Sequence, residues 1–171
     1  EIARDLGALQ DRMAPFPRAQ AVAIIEAALG VPVAAHFAGV SEPVAAASIA
    51  QVHKARRLVD GADVALKVVR PDIRGRFRRD LDGMAAMAAF AERHSAEARR
   101  LRMSGVVATL ARSVVLETDL RLEAAALSEL AENARQKTRI RVPQPDWERS
   151  ARDVLFDECV DAAPLPDIAA L

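Results

Sequence analysis

The hydrophobic period of this 171-residue chain changes three times along its length. Residues 1–13 and 18–29 carry apolar side chains at three- and four-residue spacing, which is typical of amphipathic helices. Residues 44–69 instead hold β-favouring side chains on both sides of the tight-turn pair Asp60-Gly61, which indicates a β-hairpin. We therefore expect the chain to start with helices and to continue into antiparallel strands.

The second change returns the chain to helical spacing. We expect a helix from residue 80 to about residue 102, and a long helix that Ser104 caps and that runs to roughly residue 135. Two short strands should follow, at 140–142 and 154–156. This order predicts an α+β fold with a small, mostly antiparallel sheet and additional packed helices.

Composition excludes several classes of protein. The 24 basic and 24 acidic residues give a formal net charge of zero, which argues against nucleic acid as a partner bound through bulk charge. The single cysteine, Cys159, excludes a disulfide framework and a cysteine-based zinc cluster. No apolar run approaches the roughly 20 residues of a membrane-spanning helix, and no signal-peptide pattern is present. We expect a cytoplasmic location, with a peripheral position on the inner membrane as the alternative.

Lys67 interrupts an otherwise apolar strand at 64–69. Burying an unpaired ammonium group is expensive, so its side chain either faces solvent on an edge strand or meets an anionic partner. One strand earlier lies the small-residue loop Ala45-Ala46-Ala47-Ser48, and small side chains let a backbone approach a ligand closely. A loop, a turn and a V-A-x-K strand have the layout of a kinase N-terminal lobe, where the lysine holds nucleotide phosphates and a helical glutamate fixes it.

Three carboxylates lie together further along the chain, at Glu117, Asp119 and Glu123. Asp119 and Glu123 are four residues apart and so share one helix face, whereas Glu117 lies on another face and could pair with Arg121. One interpretation is a solvated acidic face. The other pairs Glu123 with Lys67 and leaves a second carboxylate for the phosphates or for Mg²⁺, which prefers oxygen ligands.

Several stretches resemble the UbiB (aarF-type) atypical kinase-like family, along essentially the whole chain. The most specific is PVAAASIAQVH at 43–53, which resembles the alanine-rich loop that this family has in place of a glycine-rich loop. The other matching stretches are Leu9-Gln10-Asp11 with Pro15 and Pro17, VALKVVRP at 64–71, Glu117-x-Asp119, Glu123-Ala124, and the strand and hinge at 154–160.

This resemblance implies that residues 1–171 form the N-terminal lobe portion of a kinase-like domain. Residues 1–43 would be a family-specific helical segment, 44–160 the lobe itself and 161–171 the start of the interlobe region. The family's KxGQ motif would lie before Glu1 and its catalytic loop after Leu171, so we expect a domain cut before the C-terminal lobe. The full-length protein would then be an atypical kinase or ATPase, whereas this segment alone would be inactive.

The resemblance also assigns roles to residues. Ala45, Ala46, Ala47 and Ser48 would cover the phosphates of ATP or ADP, Lys67 would hold them, and Glu123 would fix Lys67. Glu117 and Asp119 would modulate the phosphate and metal region, with most Mg²⁺ ligands outside the segment. Backbone near Glu158 and Val160 would meet the adenine. The implied partners are a quinone-type lipid or membrane surface and the proteins of ubiquinone-type biosynthesis.

The chain departs from the family pattern at three places. Val69 stands where glutamine is usual, Ala126 where asparagine is usual, and Asp161-Ala162-Ala163 follows the hinge without a glycine. The altered hinge favours the alternative function, a non-catalytic interaction module that docks to a membrane or a partner protein. The basic cluster Arg74, Arg76, Arg78 and Arg79 could meet phosphate headgroups, although a face paired with neighbouring aspartates is the simpler interpretation.

Overall fold

The computed structural model describes residues 13–135 and 140–160, and its elements alternate as the hydrophobic pattern predicts. The helices are α1 (Arg18–Leu29), α2 (Ile73–His94), α3 (Ala96–Leu101), α4 (Met103–Glu117) and α5 (Leu120–Ala134). The strands are β1 (Phe37–Val40), β2 (Ala45–Ala46), β3 (Ala50–Arg57), β4 (Asp63–Val69) and β5 (Val154–Glu158). The predicted α+β class is confirmed.

The strands form one antiparallel sheet in the order β1-β3-β4-β5, with β2 also paired to β3. The β3–β4 hairpin runs from the pair Ala50 and Val69 to the pair Arg56 and Asp63. Gly61 closes its turn with a φ of 70°, a left-handed conformation that favours glycine. The predicted hairpin is therefore present, although its first strand is divided into β2 and β3 by a turn at 47–49.

Side chains alternate between the two faces of this sheet. One face, here called the core face, packs against α1 through a large apolar cluster, in which the rings of Phe37 of β1 and Phe156 of β5 stack with centroids 5.6 Å apart. The opposite face, here called the lysine face, carries Lys67 and packs against α5 through a smaller cluster. That cluster comprises Val69, Leu120, Ala124 and Leu155.

Two helix predictions need correction. The predicted helix at 80–102 begins earlier, at Ile73, and ends at His94, where Ser95 caps the short α3 that follows. The predicted long helix at 104–135 is two helices, since the chain leaves helical geometry at Asp119. Ser104 is not the cap of α4, because its N–H and hydroxyl both donate to the carboxylate of Glu92.

The strand predictions are confirmed in part. The strand at 154–156 is present and extends to Glu158, and β1 is an additional strand. The predicted strand at 140–142 is wrong, since those residues are not in strand geometry, and the segment after them forms an isolated bridge to β5 between Pro145 and Asp157. The predicted helix at 1–13, apart from Met13, and the interlobe segment at 161–171 lie outside the described residues. Among the residues described, no helix has the length and apolar character needed to cross a membrane.

Candidate functional site

The lysine face carries an ion pair between Lys67 of β4 and Glu123 of α5. The Nζ atom of Lys67 lies 2.7 Å from each of the two carboxylate oxygens of Glu123. The two side chains are 28% and 41% exposed, so the pair is half-buried and remains accessible from solvent. Of the two interpretations left open by the sequence, the anionic partner for Lys67 is the one the structure shows.

Helix α5 is positioned for this pair by contacts in its first turn. Asp119 caps the helix by accepting the N–H of Arg121, and the N–H of Leu120 donates to the carbonyl of Arg152 ahead of β5. Leu120 and Ala124 then pack against Leu155. Glu123 lies between these two buried residues in sequence and is thereby directed along the helix flank toward β4.

The alanine-rich turn is aligned with the lysine by the register of the sheet. Ala45 pairs with Val52, and Val52 pairs with Lys67. Directly opposed residues of antiparallel strands point to the same face, so these three side chains form one row on the lysine face. The N–H of Ala47 donates to the carbonyl of Ala50, which closes the turn and leaves Ser48 exposed.

Arg70, which sequence reasoning missed, fixes the alanine-rich turn. Its Nε donates to the carbonyl of Ala47 at 3.0 Å, and its Nη1 donates to the carbonyl of Ala14, also at 3.0 Å. Its backbone N–H donates to the carbonyl of Ile49. The arginine that ends the lysine strand thus ties that strand to the turn and to the segment before α1.

The other two predicted carboxylates lie apart from the pair. Glu117 is the exposed last residue of α4. Asp119 forms an ion pair with Arg121 at 2.6 Å, so that Arg121 pairs with Asp119 rather than with Glu117. The hydrogen bond from Arg121 lowers the pKa of Asp119 below its usual value. Asp119 is therefore engaged in capping α5, and the roles of both carboxylates toward phosphates stay predictions.

The predicted adenine contacts lie where β5 ends. The backbone N–H of Glu158 donates to the carbonyl of Gln144, and its carboxylate pairs with Arg141. The N–H of Cys159 donates to the carbonyl of Asp63. Val160 is the half-buried last residue of the described segment. The roles of Glu158 and Val160 toward adenine also stay predictions.

Asp157 is a charged residue of the lysine face that the sequence reasoning missed. It pairs with Ala65 of β4, and its Oδ1 is buried with no hydrogen-bond partner among the described residues. Burial and, to a lesser extent, the nearby carboxylate of Glu123 raise the pKa of Asp157 to about 6, against the opposing effect of Lys67. The sequence signal that could have identified Asp157 is its position directly after the apolar strand residues Val154, Leu155 and Phe156.

The remaining polar candidates are structural. His53 is fully buried and hydrogen-bonds Gln51 and the carbonyl of Ser41. In the basic cluster, Arg74 pairs with Asp153 and Arg79 with Asp72. The described part of the chain holds no group of three or more histidine, cysteine, aspartate or glutamate side chains that could bind a metal ion.

Comparison with known proteins shows the family to which this chain belongs. The ABC1 atypical kinase-like domain matches residues 8–171. The protein named "Probable protein kinase UbiB" of Marinobacter nauticus is 41% identical over the whole chain, which covers 31% of that protein. Its namesake in Azotobacter vinelandii is 43% identical, and that in Pseudomonas putida 41%; the chain covers 32% of each.

The chain therefore spans about a third of the length of the curated relatives it matches. The family match extends over nearly all of the sequence and includes the segment before α1, β4 with Lys67, α5 with Glu123, and β5. This chain belongs to the ABC1 atypical kinase-like domain family.

Proposed function

We propose that this chain is the nucleotide-binding lobe of an atypical kinase or ATPase that takes ATP or ADP with Mg²⁺, with residues 44–160 as the lobe itself. The observation that carries the proposal is the contact of Lys67 with both oxygens of Glu123, in one row with the alanine-rich turn. An ammonium group has three N–H donors, and two serve Glu123. The third can donate to a phosphate oxygen.

The residues around Lys67 fit a nucleotide in size and polarity. Ala45 and Ser48 are exposed and carry little beyond Cβ, so the turn offers backbone N–H groups without side-chain obstruction. Val52 and Ala65 lie beside Lys67 on the lysine face and are half-buried, which suits the flat apolar surface of a base. A bound nucleotide supplies the transferable phosphoryl group, whereas these residues bind and orient it.

The direct test is a thermal-shift titration of the protein at its natural full length with Mg·ADP. A ligand that binds only the folded state raises the melting temperature by mass action. We expect the Lys67→Ala variant to weaken Mg·ADP binding by roughly tenfold or more, because a charge-assisted hydrogen bond is lost. The Arg56→Ala variant, which removes an exposed cation at the far end of β3, is the matched control and should bind normally.

Two outcomes would contradict the proposal. One is the absence of any thermal shift in the parent protein, and the other is equal affinity in the parent and Lys67→Ala. The first outcome would favour the interaction module. Exposed apolar side chains on α2 and α4, among them Met87, Phe90 and Val106, are the observation that would then need explaining.

The biological role that we propose is support of ubiquinone-type lipid biosynthesis, at a membrane surface and together with other proteins of that process. The family match and the relatives named UbiB support this role. In a bacterial strain that lacks its own UbiB-type gene, the full-length protein should restore quinone content. The Lys67→Ala variant should not, and equal restoration by both would contradict a nucleotide-dependent role.

A further inference from the structure

Asp157 lies beside the Lys67–Glu123 pair and has no use in the function proposed so far. On β5 it pairs with Ala65, whereas Leu155, two residues earlier, pairs with Lys67. Asp157 and Lys67 therefore point to the same face and are separated by about 7 Å along the strand direction. The carboxylate of Asp157 therefore lies on the lysine face, close to Lys67.

This carboxylate is half-buried and incompletely satisfied. Its Oδ1 has no hydrogen-bond partner among the described residues, while Lys67 already contacts both oxygens of Glu123. A buried acceptor without a donor is unfavourable, and natural proteins seldom retain one. An N–H donor from a ligand would satisfy it.

The neighbours of Asp157 indicate which part of a nucleotide this donor belongs to. Phosphates and a carboxylate repel each other, so the phosphates held at Lys67 must point away from Asp157. Ala65 separates Asp157 from Lys54 of β3 and is half-buried, which leaves an apolar patch between the charged groups. A flat base resting on Ala65 would present its polar edge to Asp157.

We propose that Asp157 is a specificity-determining residue of the nucleotide site, and that its Oδ1 accepts a hydrogen bond from the exocyclic amino group of adenine. This inference rests on the proposed nucleotide function. A site that hydrogen-bonds a ligand N–H discriminates strongly against an analogue lacking that group, because its own buried acceptor is then left unpaired.

The inference also predicts a pH dependence of base discrimination. The ionised carboxylate is a stronger acceptor than the protonated carboxyl group, and the pKa of Asp157 is raised to about 6. The charged groups that act on it are Glu123 of α5 and Lys67 of β4, and Lys54 of β3 lies further across the same face, beyond Ala65. The segment that bridges to it at Pro145 adds Asp146, which is paired with Arg149. Discrimination should therefore strengthen as pH rises through about 6.

The experiment compares the affinities of ATP, purine riboside triphosphate and 2′-deoxy-ATP for the full-length protein by equilibrium binding. Purine riboside triphosphate lacks only the exocyclic amino group, and the deoxy analogue tests a ribose hydroxyl as the donor. We expect the parent to bind ATP roughly tenfold or more tightly than purine riboside triphosphate. In Asp157→Leu the ratio should fall to within about twofold.

Two further variants complete the test. Asp157→Asn keeps an acceptor oxygen in a side chain of the same size, so it should retain part of the ratio and lose its dependence on pH. Asp63→Asn removes an exposed carboxylate from β4 and should leave the ratio and its pH dependence unchanged. Because both triphosphates titrate alike, the ratio isolates the base contact.

The possible outcomes distinguish a failure of the Asp157 contact from a failure of the proposed nucleotide binding. If the parent binds no nucleotide, or binds it equally well without Lys67, the proposed function fails and the inference fails with it. If binding depends on Lys67 while the ATP preference is the same in the parent, Asp157→Leu and Asp157→Asn, only the inference is overturned. A preference for ATP over the deoxy analogue that disappears in Asp157→Leu would assign Asp157 to the ribose and overturn the base contact.

Discussion

Lys67 and Asp157 are both half-buried charged side chains, for which the loss of hydration is unfavourable. Only Lys67 gains partners that compensate for this cost. Lys67 gains both oxygens of Glu123 as partners at 2.7 Å. Asp157 gains none for its Oδ1 among the described residues, and burial raises its pKa to about 6. The uncompensated charge on Asp157 opposes folding wherever that group is ionised.

Replacing Asp157 should therefore stabilise the protein in a pH-dependent way. Between about pH 4 and pH 6 the unfolded state has released the Asp157 proton while the folded state retains it, so stability falls as pH rises through this window. Asp157→Asn removes that fall. The melting temperature of Asp157→Asn relative to the parent should rise by about 2–4 °C from pH 4 to pH 7, a modest shift because solvent screens part of the effect.

The control for this measurement is Asp63→Asn, an exposed carboxylate on the same sheet. Surface substitutions of this kind change stability little, so its melting temperature relative to the parent should stay nearly constant with pH. A melting-temperature difference between Asp157→Asn and the parent that is the same at pH 4 and pH 7 would show that Asp157 is not buried as a charge.

At the scale of elements, a buried polar network holds the segment before α1 onto the sheet. The side chain of Gln51 accepts the N–H of Phe16 at 3.0 Å and donates to its carbonyl at 3.2 Å. Its amide also donates to Nε2 of His53, which leaves the Nδ1–H of His53 to donate to the carbonyl of Ser41. Gln51 and His53, at the end of the stretch 43–53, thus secure the fold, while Ala45 and Ala47 of the same stretch lie at the turn near Lys67.

We expect Gln51→Leu to lower the free energy of unfolding by about 1–3 kcal/mol, because the N–H and carbonyl of Phe16 lose their buried partners. Denaturant unfolding of the full-length protein measures this loss. Gln20→Leu makes the same chemical change at an exposed position of α1 and should cost little. Equal losses in the two variants would mean that the network contributes nothing specific.

Sequence patterns predicted elements better where apolar spacing, rather than capping chemistry, defines them. Helix α1 and strand β5 begin where expected, whereas α2 begins seven residues before its predicted start at residue 80, where arginines obscure the apolar spacing of Ile73, Phe77 and Leu81. The break between α4 and α5 follows from Thr118, whose hydroxyl donates to the carbonyl of Val114, and from the cap at Asp119. Both residue types favour helix ends, a signal that the apolar period concealed.

The site shows the same limit. A lysine in an apolar strand and a carboxylate cluster on a helix were enough to predict the Lys67–Glu123 pair as one of two interpretations. Arg70 and Asp157 could not be assigned in this way, because their roles depend on strand register and on what each side chain meets across the sheet. Such contacts are tertiary, and a single sequence shows the two residues without showing that they are in contact.

For the whole molecule, the sheet separates two apolar clusters of unequal size. The larger one lies on the core face with α1 and includes Leu66. The smaller one, with Leu155, connects α5 to the lysine face. Helix α5 therefore depends on few apolar contacts, and the same contacts position Glu123 against Lys67. Stability and site geometry are coupled on one face of the sheet and largely independent on the other.

Because only the lysine-face cluster supports Glu123, removing a buried leucine from either face should cost similar stability but affect nucleotide binding differently. Leu66→Ala and Leu155→Ala each remove a fully buried side chain and should each cost about 2–5 kcal/mol in the free energy of unfolding. At temperatures where both variants remain folded, Leu155→Ala should weaken Mg·ADP binding severalfold, because α5 and Glu123 lose their support. Leu66→Ala should leave binding within about twofold of the parent.

Calorimetric titration of the two full-length variants with Mg·ADP distinguishes these expectations, with circular dichroism to establish that each is folded at the working temperature. Equal weakening of binding by Leu66→Ala and Leu155→Ala would show that the lobe responds as one unit and would remove the distinction between its faces. The hydrophobic pattern marks both leucines as buried strand residues without distinguishing them. Packing places Leu66 on the face that contacts α1 and Leu155 on the face that contacts α5. This difference decides whether removal of the leucine disturbs the Lys67–Glu123 pair.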